Sequence, residues 1–278
     1  MPAAPVPGAS SRRRTRETGV FVRDSPGSRS LERGLALLRA FRPGTVALGN
    51  AELARRTGLP RATVSRLSRS LVEAGFLEYH VPSSSYRLGP PFLAFGQAVR
   101  EGSVVLRTAL PLMREMADGL TINVGLAVAD VDEMVYLESV RKSRLGLFRH
   151  VASGSRLPVA ESALGRAWLA GLAPEARADA LRRLAPRHGE RWPQVLRDVE
   201  RSLEDVERRG WCGMAWRSGL VSIATPLAVP GLPVHAFNIS FPAADGERRA
   251  RDETRYAPLL MATRARILEA LARVLDAG

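Results

Sequence analysis

The chain has 278 residues, 45% hydrophobic and 25% charged, with 41 Lys+Arg against 28 Asp+Glu and a formal net charge of +13. This is ordinary globular composition, long enough for two domains, and no apolar run approaches the ~20 residues of a membrane span. Cys212 is the single cysteine, which excludes an intrachain disulfide and a cysteine zinc cluster and removes any need for an oxidising compartment. No apolar h-region follows the cluster Arg12, Arg13, Arg14 and Arg16. A secretory or twin-arginine signal is therefore not expected, and the default location is cytoplasmic.

Charge is unevenly spread. Residues 1 to 100 hold 16 basic and 6 acidic residues, and the remainder hold 25 and 22. An excess concentrated on one segment fits a phosphate-binding surface. Lys142 is the only lysine, an arginine bias that genome composition can produce as well as arginine chemistry.

Residues 1 to 29 are rich in Pro, Gly, Ser and Arg and read as a disordered basic tail. It is either an arm for non-specific DNA binding or a solvated extension with no dedicated role. Ser30 is placed as an N-cap, and Leu31, Leu35, Leu38 and Phe41 line one face of the helix that follows. Arg42-Pro43-Gly44 ends it.

Residues 50 to 75, NAELARRTGLPRATVSRLSRSLVEAG, read as two short helices around a tight turn. Leu53 and Ala54 form the buried side of the first. Thr57-Gly58-Leu59 makes the turn, with Gly58 free to take a positive φ. Pro60 suits the first position of the second helix. Val64, Leu67, Leu71 and Val72 make one apolar face, and Arg61, Thr63, Ser65, Arg66 and Arg69 make the other. This is the helix-turn-helix pattern, whose second helix enters the DNA major groove. Two helices of a plain bundle with a solvated face share the same spacing.

Phe76 to Tyr79 and Tyr86 to Leu88 read as strands joined by Val81-Pro82-Ser83-Ser84-Ser85, a hairpin. Directly after a recognition helix it makes a wing. Ser83, Ser84, Ser85 and Arg87 are in a position to reach phosphates or the minor groove. Residues 89 to 101, GPPFLAFGQAVRE, form a helix whose Phe92, Leu93 and Phe95 call for burial against a second copy or the next domain. Val104 to Leu120 is a further helix with Leu106, Leu110, Met113 and Met116 on one face, bent at Pro111.

From about residue 104 strands and helices interleave. Ile122 to Ala129 and Glu133 to Val140 are strands around the turn Asp130-Val131-Asp132, and Leu145 to Val151 is a third. Helices follow from near Ser162, over Pro174 to Leu184 and over Val195 to Arg209. Leu220 to Val229 and Pro233 to Phe241 form a hairpin around Pro230-Gly231, and a long helix runs from about Glu247 to Asp276. The pattern predicts an α+β domain with a central antiparallel sheet and a pocket for a small ligand.

Catalytic chemistry has little support. His80, His150, His188 and His235 are scattered without metal-ligand spacing, and there is no nucleophile elbow, P-loop or dinucleotide fingerprint. Asp130 and Asp132 sit in a turn, and Glu204, Asp205 and Glu207 on a charged helix face. Cys212 in its apolar stretch reads as a packing residue. No catalytic residue, metal or cofactor is expected.

These residues resemble the IclR family of bacterial transcriptional regulators from about Ser30 onward. ELARRTGLPRATVSRLSRSLVEAGFLE (52–78) is similar to the family's helix-turn-helix, and YRLGPPFLAFG (86–96) to its wing-to-linker junction. VYLESV (135–140) and GSRLPVAESALGRAWLA (154–170) are similar to its effector-domain signatures. SIATPL (222–227) and FNIS (237–240) occupy the places of its closing strands. The resemblance implies a winged helix-turn-helix domain (30–88), a helical linker (89–103) and a GAF-like effector domain (104–278). It also implies a homodimer or dimer of dimers on a roughly palindromic DNA operator, and a small organic, often carboxylate-bearing, effector. The positions carried over for the effector are Ala163, Leu164, Gly165, Ser222, Asn238 and Ser240. The first three open a helix, where free N–H groups and the dipole favour an anion.

Two departures from the family pattern stand out. Acidic residues usual before SIATPL are replaced by Cys212-Gly213-Met214-Ala215-Trp216-Arg217, and Asn238 stands where Ser is common. Arg217 near the pocket would suit an anionic effector and Trp216 a bulkier or aromatic one, unless both lie on the surface or at a subunit contact. Two readings compete with a DNA-binding regulator: a scaffolding protein with a vestigial DNA domain, and a metabolite sensor acting through protein partners.

Overall fold

The computed structural model describes residues 27 to 276 except 119, 121, 142 to 150, 218 and 243 to 245. Most of the tail at 1 to 29 and of the strand predicted from Leu145 lies outside the described residues. The chain divides into two compact units, the first ending at Pro91 and the second starting at Phe92.

The first unit opens with α1 (Arg29–Arg39), capped by Ser28, whose Oγ accepts from Leu31 N–H at 3.4 Å. The predicted cap was Ser30. The predicted apolar face is also corrected: Leu31 and Leu35 are 62% and 50% exposed, while Gly34 and Leu37 are buried. Leucines at 31, 35, 37 and 38 mark more than one helical stripe. Packing selects the one through Leu37, which meets Leu53, Val64 and Leu67 in a shared core.

A two-residue strand, β1 (Leu48–Gly49), leads into α2 (Asn50–Thr57). Gly58 closes α2 at φ 69°, its N–H bonded to Ala54 O at 2.9 Å, so this turn requires the residue without a Cβ. Pro60 stands just outside α3 (Arg61–Glu73) with extended ψ of 141°, so the helix starts one residue later than predicted. Val64 and Leu67 are buried under α1, as the spacing requires. Each such side chain contributes roughly 1.5–3 kcal/mol. Arg56 donates to Ala40 O at 2.9 Å and locks α2 to the end of α1. Glu52 is held by both Arg55 and Arg56, whose hydrogen bonds push its carboxyl down to about 2.

The hairpin pairs β2 (Leu77–His80) with β3 (Ser85–Leu88), and β1 adds to the outer side of β3. Between them, a 3-10 turn at Val81–Ser83 passes to Ser84, which adopts φ 45°. Tyr79 and Tyr86 face each other across the pair with ring centroids 5.2 Å apart.

The second unit begins with α4 (Pro91–Gly102) and α5 (Val104–Ala117). Its centre is a six-stranded antiparallel sheet in the order β6-β5-β4-β9-β8-β7. The strands are β4 (Asn123–Asp130), β5 (Glu133–Arg141), β6 (Arg156–Pro158), β7 (Cys212–Arg217), β8 (Leu220–Leu227) and β9 (His235–Pro242). Helices α6 (Ala163–Gly171), α7 (Pro174–His188) and α8 (Trp192–Arg209) lie between β6 and β7 in the chain, and α9 (Gly246–Asp276) closes it.

Period-two alternation splits the sheet into two faces. Val124, Leu126, Ile223, Phe237, Ile239 and Phe241 pack against α5 and α9. Ala127, Ala224 and Ala236 pack against α6. Large side chains fill the first face and small ones line the second, which leaves room beneath α6. The short β6 and the edge strand β7 escaped sequence reading because neither alternates. α7 runs past its predicted end through Pro186 to His188, and α8 starts earlier, at Trp192.

His235 opens β9 with its imidazole 6% exposed and Nδ1 2.7 Å from Pro233 O. Burial pushes it below its ordinary value, and the hydrogen bond offsets this only in part. The unfolded chain therefore takes up a proton near the ordinary value of about 6.5, before the folded chain does. Stability is full above that pH and falls as pH drops toward the lowered folded value. Thermal melts between about pH 7 and 5 should show wild type losing more stability than His235→Gln; parallel losses would remove His235 as the cause.

Candidate functional site

The outer face of α3 is built by helical spacing. Ala62, Arg66, Arg69 and Glu73 are exposed along one stripe, with Arg61 exposed at the first position. Thr63 and Ser65 flank the stripe and are half-buried, while Ser68 is fully buried with its Oγ unpartnered. Among the described residues, the guanidinium groups of Arg61, Arg66 and Arg69 take part in no hydrogen bond or ion pair. Arg55 and Arg56 one helix earlier are both tied to Glu52. Ser84 and Arg87 stand exposed on the hairpin, off the α3 face. The arrangement offers unneutralised donors suited to phosphate oxygens and guanine edges.

The second unit holds a cavity between the sheet and the start of α6. Asn123 (β4), Tyr136 (β5), Ser222 (β8) and Ser240 (β9) contribute polar groups, and Val151, Leu157, Met214 and Leu220 contribute apolar wall. Ser162, Ala163 and Leu164 bring in the helix end. Ser162 caps α6, its Oγ accepting from Gly165 N–H at 3.1 Å and donating to Pro158 O at 2.7 Å. The N–H groups of Ala163 and Leu164 belong to the first turn and have no intrahelical acceptor, so they face an acceptor in the cavity favourably. Among the described residues, none that lines the cavity carries a charge. Burial pushes the Tyr136 phenol up, and the neighbouring Asn238 amide offsets this only in part, so the group stays neutral.

Two ties hold this wall. Arg166 is buried on α6 and donates to Ala160 O, Asp198 O and Ser202 Oγ, fastening α6 to α8. On β5, a bulge opposite Leu126/Ala127 presents the Leu137 carbonyl to Arg100 of α4 at 2.5 Å. Arg100 also pairs with Glu138 at 2.6 Å. Burial alone would raise the Glu138 carboxyl, but hydrogen bonds from Arg100, the Ser139 N–H and Ser153 hold it below the usual range. Among the described residues, no cluster of His, Cys, Asp and Glu could hold a metal ion. Cys212 is buried, its thiol pushed up to about 12 by burial and 3.6 Å from Ala163 O, as a packing residue would be.

Residues 30–80 match the IclR helix-turn-helix domain, and residues 97–267 match the bacterial transcriptional regulator IclR C-terminal domain. The chain belongs to the IclR family. IclR-family members are DNA-binding transcriptional regulators. The chain is 32% identical over 183 residues to the HTH-type transcriptional regulator TsaQ1/TsaQ2 of Comamonas testosteroni, spanning 66% of each. It is 28% identical to the Pca regulon regulatory protein of Pseudomonas putida, over 87% of this chain and 84% of that one. A solved IclR-family regulator from Brucella abortus superposes with TM-score 0.76 at 33% identity, covering 91% of this chain and 94% of the other.

Against this IclR-family frame, the predicted effector positions divide. Ala163, Leu164, Ser222 and Ser240 line the cavity, whereas Gly165 and Asn238 lie behind it. Sequence reading missed Asn123, Tyr136, Ser162 and Met214. Asn123 carried the clearest signal, an isolated amide in the apolar run INVGLAVA. Met214 became legible only through its pairing with Ser222. Trp216 and Arg217 belong to β7 by backbone, and their side chains lie outside the described residues. Among the described residues no helix is long and apolar enough to cross a membrane.

Proposed function

We propose that this IclR-family protein is an effector-responsive regulator in the cytoplasm, without enzymatic activity of its own. A homodimer or dimer of dimers binds a roughly palindromic operator. The DNA head comprises residues 30–88, with Arg61, Thr63, Ser65, Arg66 and Arg69 of α3 at the major groove and Ser84 and Arg87 of the wing on the backbone or minor groove. Residues 89–103 link it to an effector domain at 104–278. There the effector, a small organic acid, occupies the cavity at Ala163, Leu164, Ser222 and Ser240, supported by Gly165 and Asn238. The observation that carries the reading is the α3 face, where three guanidinium groups have no partner among the described residues. Leu31 and Leu35 on α1, and Leu93 and Val99 on α4, are exposed large apolar side chains, which supports self-association. The effector acts by favouring one spacing of the two heads over another, which requires unequal affinity for the two arrangements.

The test is a titration of the full chain on duplex DNA from its own upstream region, beside a scrambled duplex, at two salt concentrations. The expected result is a preference of roughly 10³-fold or more, with affinity falling steeply with salt. Absence of binding to any fragment in a genome-wide selection would overturn the reading and favour a sensor acting through protein partners.

A further inference from the structure

The polar atoms of the cavity floor fall on one row of the sheet. Asn123 on β4 is the register partner of Ser240 on β9, and Ser240 is the partner of Ser222 on β8. All three line the cavity. Asn238 sits one step along β9 on the same face, fully buried and outside the lining. Its Nδ2 donates to Ser222 Oγ and to Ser240 Oγ, both at 2.9 Å. A hydroxyl that accepts from a buried amide keeps its own proton to give elsewhere. Both serines therefore turn O–H donors toward the cavity.

The direction of the amide follows from what it leaves unmade. With nitrogen on the serines, both N–H groups have acceptors and only Oδ1 is without a partner, as observed. Reversed, the amide would bury two N–H donors unpaired beside Gly125, the costlier arrangement. Gly125 makes the pocket for that oxygen: a Cβ there would lie 2.3 Å from Asn238 Oδ1 and 2.3 Å from the Tyr136 ring. Asn123 is set in the same sense. Its Oδ1 accepts from Ser139 Oγ at 2.8 Å, which leaves Nδ2 as its free group.

We propose that Asn238 is a specificity-determining positioning residue: by donating to both serine hydroxyls it turns their O–H groups to the cavity, so that the site selects ligands headed by a carboxylate, which accepts from both, over alcohols of the same shape. The inference rests on the reading of this cavity as the effector site and adds what carries its selectivity. Two O–H donors on neighbouring strands, about 4.8 Å apart, match the two oxygens of one carboxylate. The first-turn N–H groups of α6 face the same space. The apolar walls take the ligand's body.

The experiment uses the full-length protein and two probes of one shape, benzoate and benzyl alcohol, with binding measured by calorimetry and folding by thermal melts. Wild type is expected to prefer benzoate by roughly 10-fold or more, the effect of one well-made hydrogen bond to a charged group. Asn238→Asp, which accepts from both serines and turns their protons away, should reverse the order. Asn238→Ala releases both hydroxyls and should bring the two affinities within about 3-fold; it decides the matter if the Asp variant does not fold. Equal binding of the two probes by wild type, uptake of neither, or an unchanged ratio in folded variants overturns the assignment. Operator binding by the same preparation keeps the regulator reading separate: a protein that binds operator without discriminating the probes loses only this inference.

Discussion

Arg66→Ala is expected to weaken binding to the cognate operator by roughly 5- to 150-fold, the 1–3 kcal/mol of a bidentate base contact, and to relax sequence preference at one position. The ground for so large an effect is local. Arg66 is exposed in the middle of the α3 stripe, and its guanidinium spends none of its donors on the other described residues, so its hydrogen-bonding capacity suits DNA. Arg69 lies one turn on along the same stripe. Arg69→Ala should weaken binding about equally on all sequences and lower the salt slope by about one, the mark of a phosphate contact. Titrations on cognate and scrambled duplexes at several salt concentrations separate the two outcomes. Uniform loss for both variants would move Arg66 to the backbone and leave base reading to Arg61 and its neighbours.

Gly165→Ala should be the most damaging small substitution in the second unit. A Cβ at this position would lie 2.1 Å from Val159 O and 2.4 Å from Val159 Cα. Both are backbone atoms, so no side chain can move aside. Relief requires α6 to lift from the 159–160 segment, which breaks the Arg166 tie to Ala160 O and displaces the cavity wall made by Ala163 and Leu164. The expected cost is about 3 kcal/mol, the upper end for overpacking. In a unit of this size that lowers the melting temperature by roughly 6–12 °C. Superimposable melts of the variant and wild type would show that α6 does not sit where the Val159 contact places it.

Legibility in the sequence followed periodicity. α2, the turn at Gly58, α3 and the wing were readable because their buried positions recur at 3.6 or 2 residues and their punctuation is chemical: a glycine that must take positive φ and a proline that cannot continue a helix. β4, β5, β8 and β9 were readable for the same reason. α1 was readable as a helix but not in its orientation, since its leucines mark several stripes and only contact with Leu53 and Val64 chose among them. β6 and β7 were not readable, being short and without alternation.

The site divided along the same line. Residue types that carry one chemistry wherever they sit could be proposed directly, as the arginines of α3 were; Ala163 and Leu164 came from the family resemblance, supported by their place at a helix start. On the cavity floor, Ser222 and Ser240 came from the family resemblance, whereas Asn123 and Tyr136 were missed, because the four residues come from four strands. Their meeting depends on strand order and register, set by long-range pairing rather than by neighbours in sequence.

The sequence by itself determined the helix-turn-helix and the antiparallel α+β unit, since local periodicity and turn chemistry dictate them, and its motifs carried the resemblance to the family. The tertiary structure alone decided which arginines of α3 have no partner among the described residues and which face of α1 is buried. It also decided that Asn238, proposed from sequence as a ligand contact, sits behind the cavity. Whether a buried amide touches a ligand or sets the hydroxyls that do depends on a single step of the strand pleat, and only the packed sheet resolves it.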